Sequence, residues 1–273
     1  MDQAIILAAG RGSRLGSTTE STPKCLVDVG GSTLLDHHIR ALRDVGIKRI
    51  CVVTGHESDQ VRAALDSTCD CLVNASFAET NSLYSLWLTR GYLGGGFMLM
   101  NCDVLAHPEV YRRVAEANGC ALAYDSSSGA DPEHMKLQIL DGRLVTMSKT
   151  LDRGIVCGEN VGILKFDAQG AHRLYREAHT LITTGSRRIW APAAVDGIAD
   201  QVNVNCVDIA GLPWVEIDFA DDYAEAQRRV WPAIARTLSS RNYQLAWQLQ
   251  PTADWDETLS RSSEPITELE IAS

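Results

Sequence analysis

Ala4-Ile5-Ile6-Leu7-Ala8-Ala9-Gly10-Arg11-Gly12-Ser13-Arg14-Leu15 is an apolar run that breaks into a glycine-punctuated basic loop, and Pro23-Lys24 follows shortly after it. The run Ala4 to Ala9 predicts a buried parallel strand. Gly10 and Gly12 permit backbone angles and close approach that a side chain would forbid. Backbone N–H groups in such a loop form a nest for anionic oxygens, and Arg11, Arg14 and Lys24 add full positive charge. Two arginines and a lysine within fourteen residues suit a polyphosphate better than a dinucleotide.

Other glycine-loop chemistries fit less well. A dinucleotide-binding turn wants Gly-x-Gly-x-x-Gly and an acid about 20 residues on. Here Gly16 stands one place too far, and the next strand-like run, Arg49 to Thr54, comes too late. A Walker loop would close on Gly-Lys-Ser/Thr, and that triplet is missing.

The stretch instead resembles the nucleotidyltransferase family whose signature is Leu-Ala-Ala-Gly-x-Gly-x-Arg-Leu followed by Pro-Lys. The match runs from Leu7 through Leu15 and on to Pro23-Lys24-Cys25-Leu26. Such enzymes join a nucleoside triphosphate to a phosphorylated acceptor and release pyrophosphate. The resemblance implies a Rossmann-like α/β fold, doubly wound, with a mixed, mostly parallel sheet and a small acceptor-binding hairpin insertion. It implies nucleotide contacts from Leu7, Ala8, Ala9, Gly10, Arg11 and Gly12, with Arg14 and Lys24 as catalytic cations.

Composition is ordinary for a soluble globular protein, with length enough for one large α/β domain or two small ones. The chain has 273 residues, 45% hydrophobic and 22% charged, with a net charge of −10. That acidity argues against a general nucleic-acid surface, whereas a local basic pocket suits a small anionic substrate. An 18-residue apolar run and a basic-then-apolar leader are both missing, so a cytoplasmic chain without membrane insertion is expected. Eight cysteines include no Cys-x-x-Cys pair, and several sit in apolar runs, as Cys51 does; Cys69-Asp70-Cys71 reads as strand burial rather than metal binding. A reducing compartment is the simplest home.

Strand, helix, strand, helix follows the loop. Leu34, Leu35, His38, Ile39 and Leu42 fall at helical spacing up to Gly46, Ile47 to Thr54 reads as a strand, and Ser58 to Leu65 as a helix. His37 and His38 read as structural or solvated. Cys71 to Asn74 reads as a short strand, and a helix begins near Ser82 and runs to about Tyr92. Thr80, Asn81 and Ser82 can cap that helix. The stretch also resembles the Thr-Asn-x-x-x-Ser-Leu motif of the phosphocholine and phosphonate cytidylyltransferase branch, which implies that Thr80, Asn81 and Ser85 read the nucleobase.

Phe97 to Met100 predicts a strand, and Asp103 stands just past its carboxyl end, where α/β sheets bind ligands. A divalent cation bridging phosphates needs one or two carboxylates. Asp103 matches the metal-ligand aspartate of the family and counts among its nucleotide contacts. Asp125 to Asp131 reads as a small polar loop. Met135 to Leu140 and Arg143 to Lys149 then predict a hairpin around Asp141-Gly142. With Gly158-Glu159-x-x-Gly162-Ile163-x-x-Phe166, this succession resembles the acceptor half of the cytidylyltransferase branch. Lys136 and Lys149 would converge on the acceptor phosphate, with Glu159 and Trp190 also on the acceptor side. Tyr84 is a second aromatic wall and Asp125 a further counter-charge for a cationic head group. Arg187 and Arg188, beside Trp190, would oppose choline if they pointed inward.

Helical segments are expected over 168–200 and a strand over Val204 to Asp208. Within Trp214-Val215-Glu216-Ile217-Asp218, alternation puts Glu216 and Asp218 on one face. Glu-Ile-Asp before Asp221-Asp222 and a helix matches the closing motif of the family, in which Asp218 corresponds to the second metal ligand. Asp221 and Asp222 read as caps.

The resemblance covers residues 1–237, the expected catalytic domain. Residues 238–273 lose the pattern, with only Asn242 to Leu249 amphipathic, and their role, together with homodimer formation, stays open. The implied reaction is CMP transfer from CTP, with Mg²⁺, to a small phosphate or phosphonate. Two alternatives remain: a sugar- or cyclitol-1-phosphate nucleotidyltransferase using GTP, UTP or dTTP, and an inactive nucleotide-binding regulatory subunit.

Overall fold

Gln3–Ala8 forms the interior strand β1 and is buried along its whole length in the computed structural model. Residues 1–12, 14–15, 22–91, 94–128, 133–185 and 187–240 are described. Contacts divide the chain into Met1–Ala235 and Arg236–Ser273, and only 236–240 of the second unit are described. The expected tail helix at Asn242 to Leu249, Ser13 of the loop and the end of the loop toward Asp131 lie outside the described residues.

Elements follow in chain order. A short hairpin, β2 (Asp28–Val29) and β3 (Ser32–Thr33), leads into α1 (Leu34–Asp44), β4 (Arg49–Thr54), α2 (Ser58–Ala64) and β5 (Cys69–Val73). Then come α3 (Ser82–Leu88), β6 (Phe97–Asn101), β7 (Val104–Ala106), α4 (Pro108–Glu116) and β8 (Cys120–Asp125). The second half holds β9 (Lys136–Leu140), β10 (Arg143–Ser148), β11 (Gly158–Phe166), α5 (Ala168–Thr184), α6 (Pro192–Gly197), β12 (Val204–Asp208) and β13 (Trp214–Glu216). Helices α7 (Ala220–Glu225) and α8 (Trp231–Ser240) are joined by a π-turn over Ala226–Val230.

Local chemistry explains the helix starts. Thr33 and Asp36 form a reciprocal capping box at α1. Asn81 Oδ1 accepts from the Ser82 N–H at α3, whose helix ends at Leu88 with a single 3₁₀ turn beyond it. His107 caps α4. Asp222 Oδ2 reaches back to the N–H groups of Asp218 and Phe219, tying the start of α7 to the segment before it.

The main sheet runs β5-β4-β1-β6-β11-β8-β12-β10-β9. β5, β4, β1 and β6 are parallel, as βαβ units require. β11 then runs antiparallel between β6 and β8, so the sheet is mixed. The β9–β10 hairpin turns at Asp141 and Gly142, both at positive φ. It is part of this sheet rather than an appendage, because β10 pairs with β12 and β9 closes back on β11.

Period-two alternation distributes β1 between two cores. Ile5 and Leu7 pack in the layer with Leu83, Leu86 and Leu174, and Ala4, Ile6 and Ala8 pack in the layer with Leu35, Leu42 and Val110. Among the described residues no helix is long and apolar enough to cross a membrane.

Candidate active site

The carboxyl ends of β1 and β6 open into a cavity of about 530 Å³. Leu7, Ala9, Gly10, Arg11, Gly12 and Arg14 line it from the first loop. Ala8 does not, because the strand pleat turns its side chain into the opposite core. Gly12 sits at φ +63°, and a Cβ there would lie 3.0 Å from Lys24 Cβ. A left-handed backbone and tight packing on the lysine therefore both call for glycine at this position.

Pro23 introduces a 3₁₀ turn over Lys24–Leu26 that carries Lys24 inward. Lys24 Nζ lies 2.9 Å from Asp103 Oδ2 and 2.6 Å from Asp218 Oδ1. Burial pushes the lysine pKa down, but the two carboxylates outweigh it and hold it above the usual lysine value. Arg14 donates to Asp218 (2.8 Å), reaches Glu133 (3.4 Å), and stacks its guanidinium over Phe219. Burial alone would raise Asp218, yet Lys24 and Arg14 hold its carboxyl below the ordinary range.

A two-stranded sheet brings the acids together. β13 pairs antiparallel with β7, placing Glu216 opposite Val104, and the Ile217 N–H donates to the Asp103 carbonyl. Asp103, Glu216 and Asp218 each then offer an oxygen within 4.8 Å of the others. Burial, then repulsion from Asp103 and Asp218, raises the Glu216 carboxyl well above the usual carboxylate range. Asp103 Oδ1 is buried without a hydrogen-bond partner among the described residues. Three hard oxygen donors, one of them orphaned, fit a divalent cation. Glu216 received no role from sequence, although its alternation with Asp218 carried the signal.

The polar wall lies at the end of β5 and the start of α3. Thr80, Asn81 and Ser85 all line the cavity, together with Asn74 and Phe77. Arg11 lies over the Phe77 ring, 5.5 Å from its centre. Gly162 at φ +78° packs on the amide of Asn101, another lining residue.

The acceptor-side expectations divide. Lys149 and Trp190 reach the cavity, with Lys149 Nζ 4.6 Å from the centre of the Trp190 ring and 3.4 Å from Glu133. Trp190 comes there because the segment before α6 docks on α3: Asn81 N–H donates to Arg187 O, and Ala191 N–H to Ser82 Oγ. Lys136 does not converge with Lys149. Its buried ammonium is held by the carbonyls of His134 and Lys149, which supply the acceptors that burial demands. Glu159 is likewise withdrawn, 2% exposed, and faces His134 Nδ1 at 3.1 Å. His134 in turn lies beside the acid cluster, its Nε2 3.8 Å from Glu216.

Tyr84 and Asp125 also lie elsewhere than expected. Tyr84 is buried and does not line the cavity, and the Arg187 guanidinium lies over its ring. Arg188 turns to the Glu79 carbonyl, so neither arginine points inward. Asp125 accepts from Trp214 Nε1 and is a structural group. His38 is fully buried against the Tyr111 hydroxyl, as a structural reading of that residue requires.

Residues 4–188 match the family described as the MobA-like NTP transferase domain. The chain is 24% identical over 232 residues to the "Bifunctional IPC transferase and DIPP synthase" of Aquifex aeolicus, covering 84% of this chain but 51% of that protein. It therefore spans about half the length of that relative. It is 25% identical over 226 residues to the "2-aminoethylphosphonate cytidylyltransferase" of Lancefieldella rimae, covering 81% of this chain and 90% of that one. The inositol-1-phosphate CTP transferase from T. maritima superposes with a TM-score of 0.73 at 22% identity, over 87% of this chain and 96% of the other.

Proposed function

The chain belongs to the MobA-like NTP transferase family, and from that premise we propose that it transfers CMP from CTP to a small phosphate or phosphonate and releases pyrophosphate. One observation carries this reading. Lys24, Arg14 and the Asp103–Glu216–Asp218 cluster share a single cavity with the polar Thr80–Asn81–Ser85 wall. Cations, metal-ligating acids and hydrogen-bonding groups are the parts that nucleotidyl transfer requires.

In the proposed reaction an acceptor oxygen attacks the α-phosphorus of CTP. The new O–P bond forms as the bond to the bridging oxygen breaks, and pyrophosphate carries away the electron pair. An ionised phosphate or phosphonate is already a nucleophile, so a general base is not needed. Arg14 and Lys24 offset charge on the α-phosphoryl and the departing pyrophosphate. Thr80, Asn81 and Ser85 orient the base, and Lys149 beside Trp190 receives the acceptor. Asp103 and Asp218, with Glu216, would hold Mg²⁺, which supplies Lewis-acid and templating chemistry when bound.

The relatives support the choice of base, since the two named above that act on small acceptors carry CTP or cytidylyl transfer in their names. The test is a grid of CTP, UTP, GTP and dTTP against phosphorylated and phosphonate acceptors, read by pyrophosphate release. CTP giving the highest kcat/KM is the expected outcome. A higher value for another nucleotide across the panel would replace the reading with a sugar- or cyclitol-phosphate transferase.

A further inference from the structure

Asn74, just past β5 and 1% exposed, uses its whole amide within the polar wall. Its Oδ1 accepts from the Ser76 N–H at 3.0 Å, while Nδ2 donates to Thr80 Oγ1 and Ser85 Oγ, each at 3.0 Å. A backbone N–H can only donate, so the atom facing Ser76 must be the carbonyl oxygen and both amide hydrogens must face the hydroxyls. The Thr80 hydroxyl lies 2.9 Å from the Ser76 carbonyl, which can only accept, so its proton is spent there. Ser85 differs. Its oxygen accepts from Asn74, and among the described residues no acceptor is found for its own proton. Ser85 is 2% exposed and lines the cavity, which leaves that proton for a bound ligand.

We propose that Asn74 is a positioning residue that sets the hydrogen-bond polarity of the nucleobase wall, holding Ser85 Oγ as a donor toward the base and so favouring cytosine over uracil. The inference rests on the cytidylyl transfer proposed above and deepens it. Cytosine presents two neighbouring acceptors, N3 and O2, whereas uracil carries a proton at N3. A fixed donor facing N3 is satisfied by cytosine and opposed by uracil, whereas O2 accepts in both bases and does not discriminate. Discrimination then arises because the wrong base leaves a buried group unpaired. Asn74 lies outside the Thr80–Ser85 motif and acts through it.

Calorimetric binding of CTP and UTP to the full chain with magnesium chloride tests this without knowledge of the acceptor. Asn74→Asp keeps the shape but exchanges two donor hydrogens for lone pairs, so the Ser85 proton turns to the carboxylate and away from the base. The CTP:UTP affinity ratio should fall at least tenfold, through weaker CTP binding. A merely structural role would weaken both nucleotides alike and leave the ratio. Ser85→Ala removes the donor while the Asn74 bonds to Thr80 and Ser76 remain, should lower the same ratio, and decides the matter if Asn74→Asp fails to fold. A ratio within twofold of wild type in Ser85→Ala, or in folded Asn74→Asp, overturns the role of Asn74 while leaving cytidylyl transfer standing. Wild-type protein without preference for CTP removes the cytidylyl reading, and this inference with it.

Discussion

Lys24 Nζ lies 2.6 Å from Asp218 Oδ1, across 194 positions of sequence, in a largely buried ion pair that Asp103 shares. The lysine thus stands among the acids proposed to hold a divalent ion, and its charge balances them while substrate is absent. Binding of a metal and a triphosphate would exchange partners, the ion taking the carboxylates and the lysine the phosphates.

Removing the lysine isolates the acids. Lys24→Met should lower unfolding stability by about 2 kcal/mol in chelator, because a partly buried carboxylate pair loses its counter-charge. Millimolar Mg²⁺ should restore most of that loss, while pyrophosphate release stays down by about 100-fold. Denaturant unfolding with and without Mg²⁺ checks both parts. Equal stability of variant and wild type in chelator would show that the lysine does not balance the acids.

Asp103 and Asp218 should act as one unit. Either Asn substitution is expected to lower kcat by about 100-fold or more at fixed Mg²⁺, with the double variant adding little, since groups that share one ion are non-additive. Multiplicative losses in the double variant would instead assign the two acids separate jobs.

His38 predicts an acid limb of stability. It is fully buried, and burial, with His37 adding and Asp103 opposing, lowers its pKa to about 4. In the unfolded chain it titrates at about 6.5. Between those values the unfolded state binds a proton that the native state does not, so stability falls as pH drops through this window and the contribution levels off below about 4. Over that span the loss amounts to roughly 3 kcal/mol. Urea midpoints from pH 7 to 4 should slope less steeply in His38→Gln than in wild type, and identical slopes would remove the histidine as the cause.

Choline phosphate should be a poor acceptor. A quaternary ammonium needs open ring faces, and Lys149 already sits over Trp190 while Tyr84 is buried beneath Arg187. A phosphonate or polyol phosphate is therefore expected to exceed phosphocholine in kcat/KM with CTP. Phosphocholine leading by tenfold or more would reverse this and make Trp190 a box wall.

Much of the molecule was legible from local patterns. An apolar run before two glycines specifies a buried strand and a loop, because burial and positive φ are properties of a few neighbouring residues. The Asp141-Gly142 hairpin and the place of Asp103 beyond β6 were open to the same reading. What the chain alone left undecided is where a side chain goes when two destinations suit its chemistry. Lys136 and Lys149 look alike along the hairpin, yet the fold buries one on backbone carbonyls and leaves the other beside Trp190. Alternation set Glu216 and Asp218 on one face, but only the pairing of β13 with β7 put that face against Asp103. Asn74 became visible through its hydrogen bonds to Thr80 and Ser85. Spacing determines which residues share a face, and tertiary packing determines what that face meets and which buried polar groups must satisfy one another.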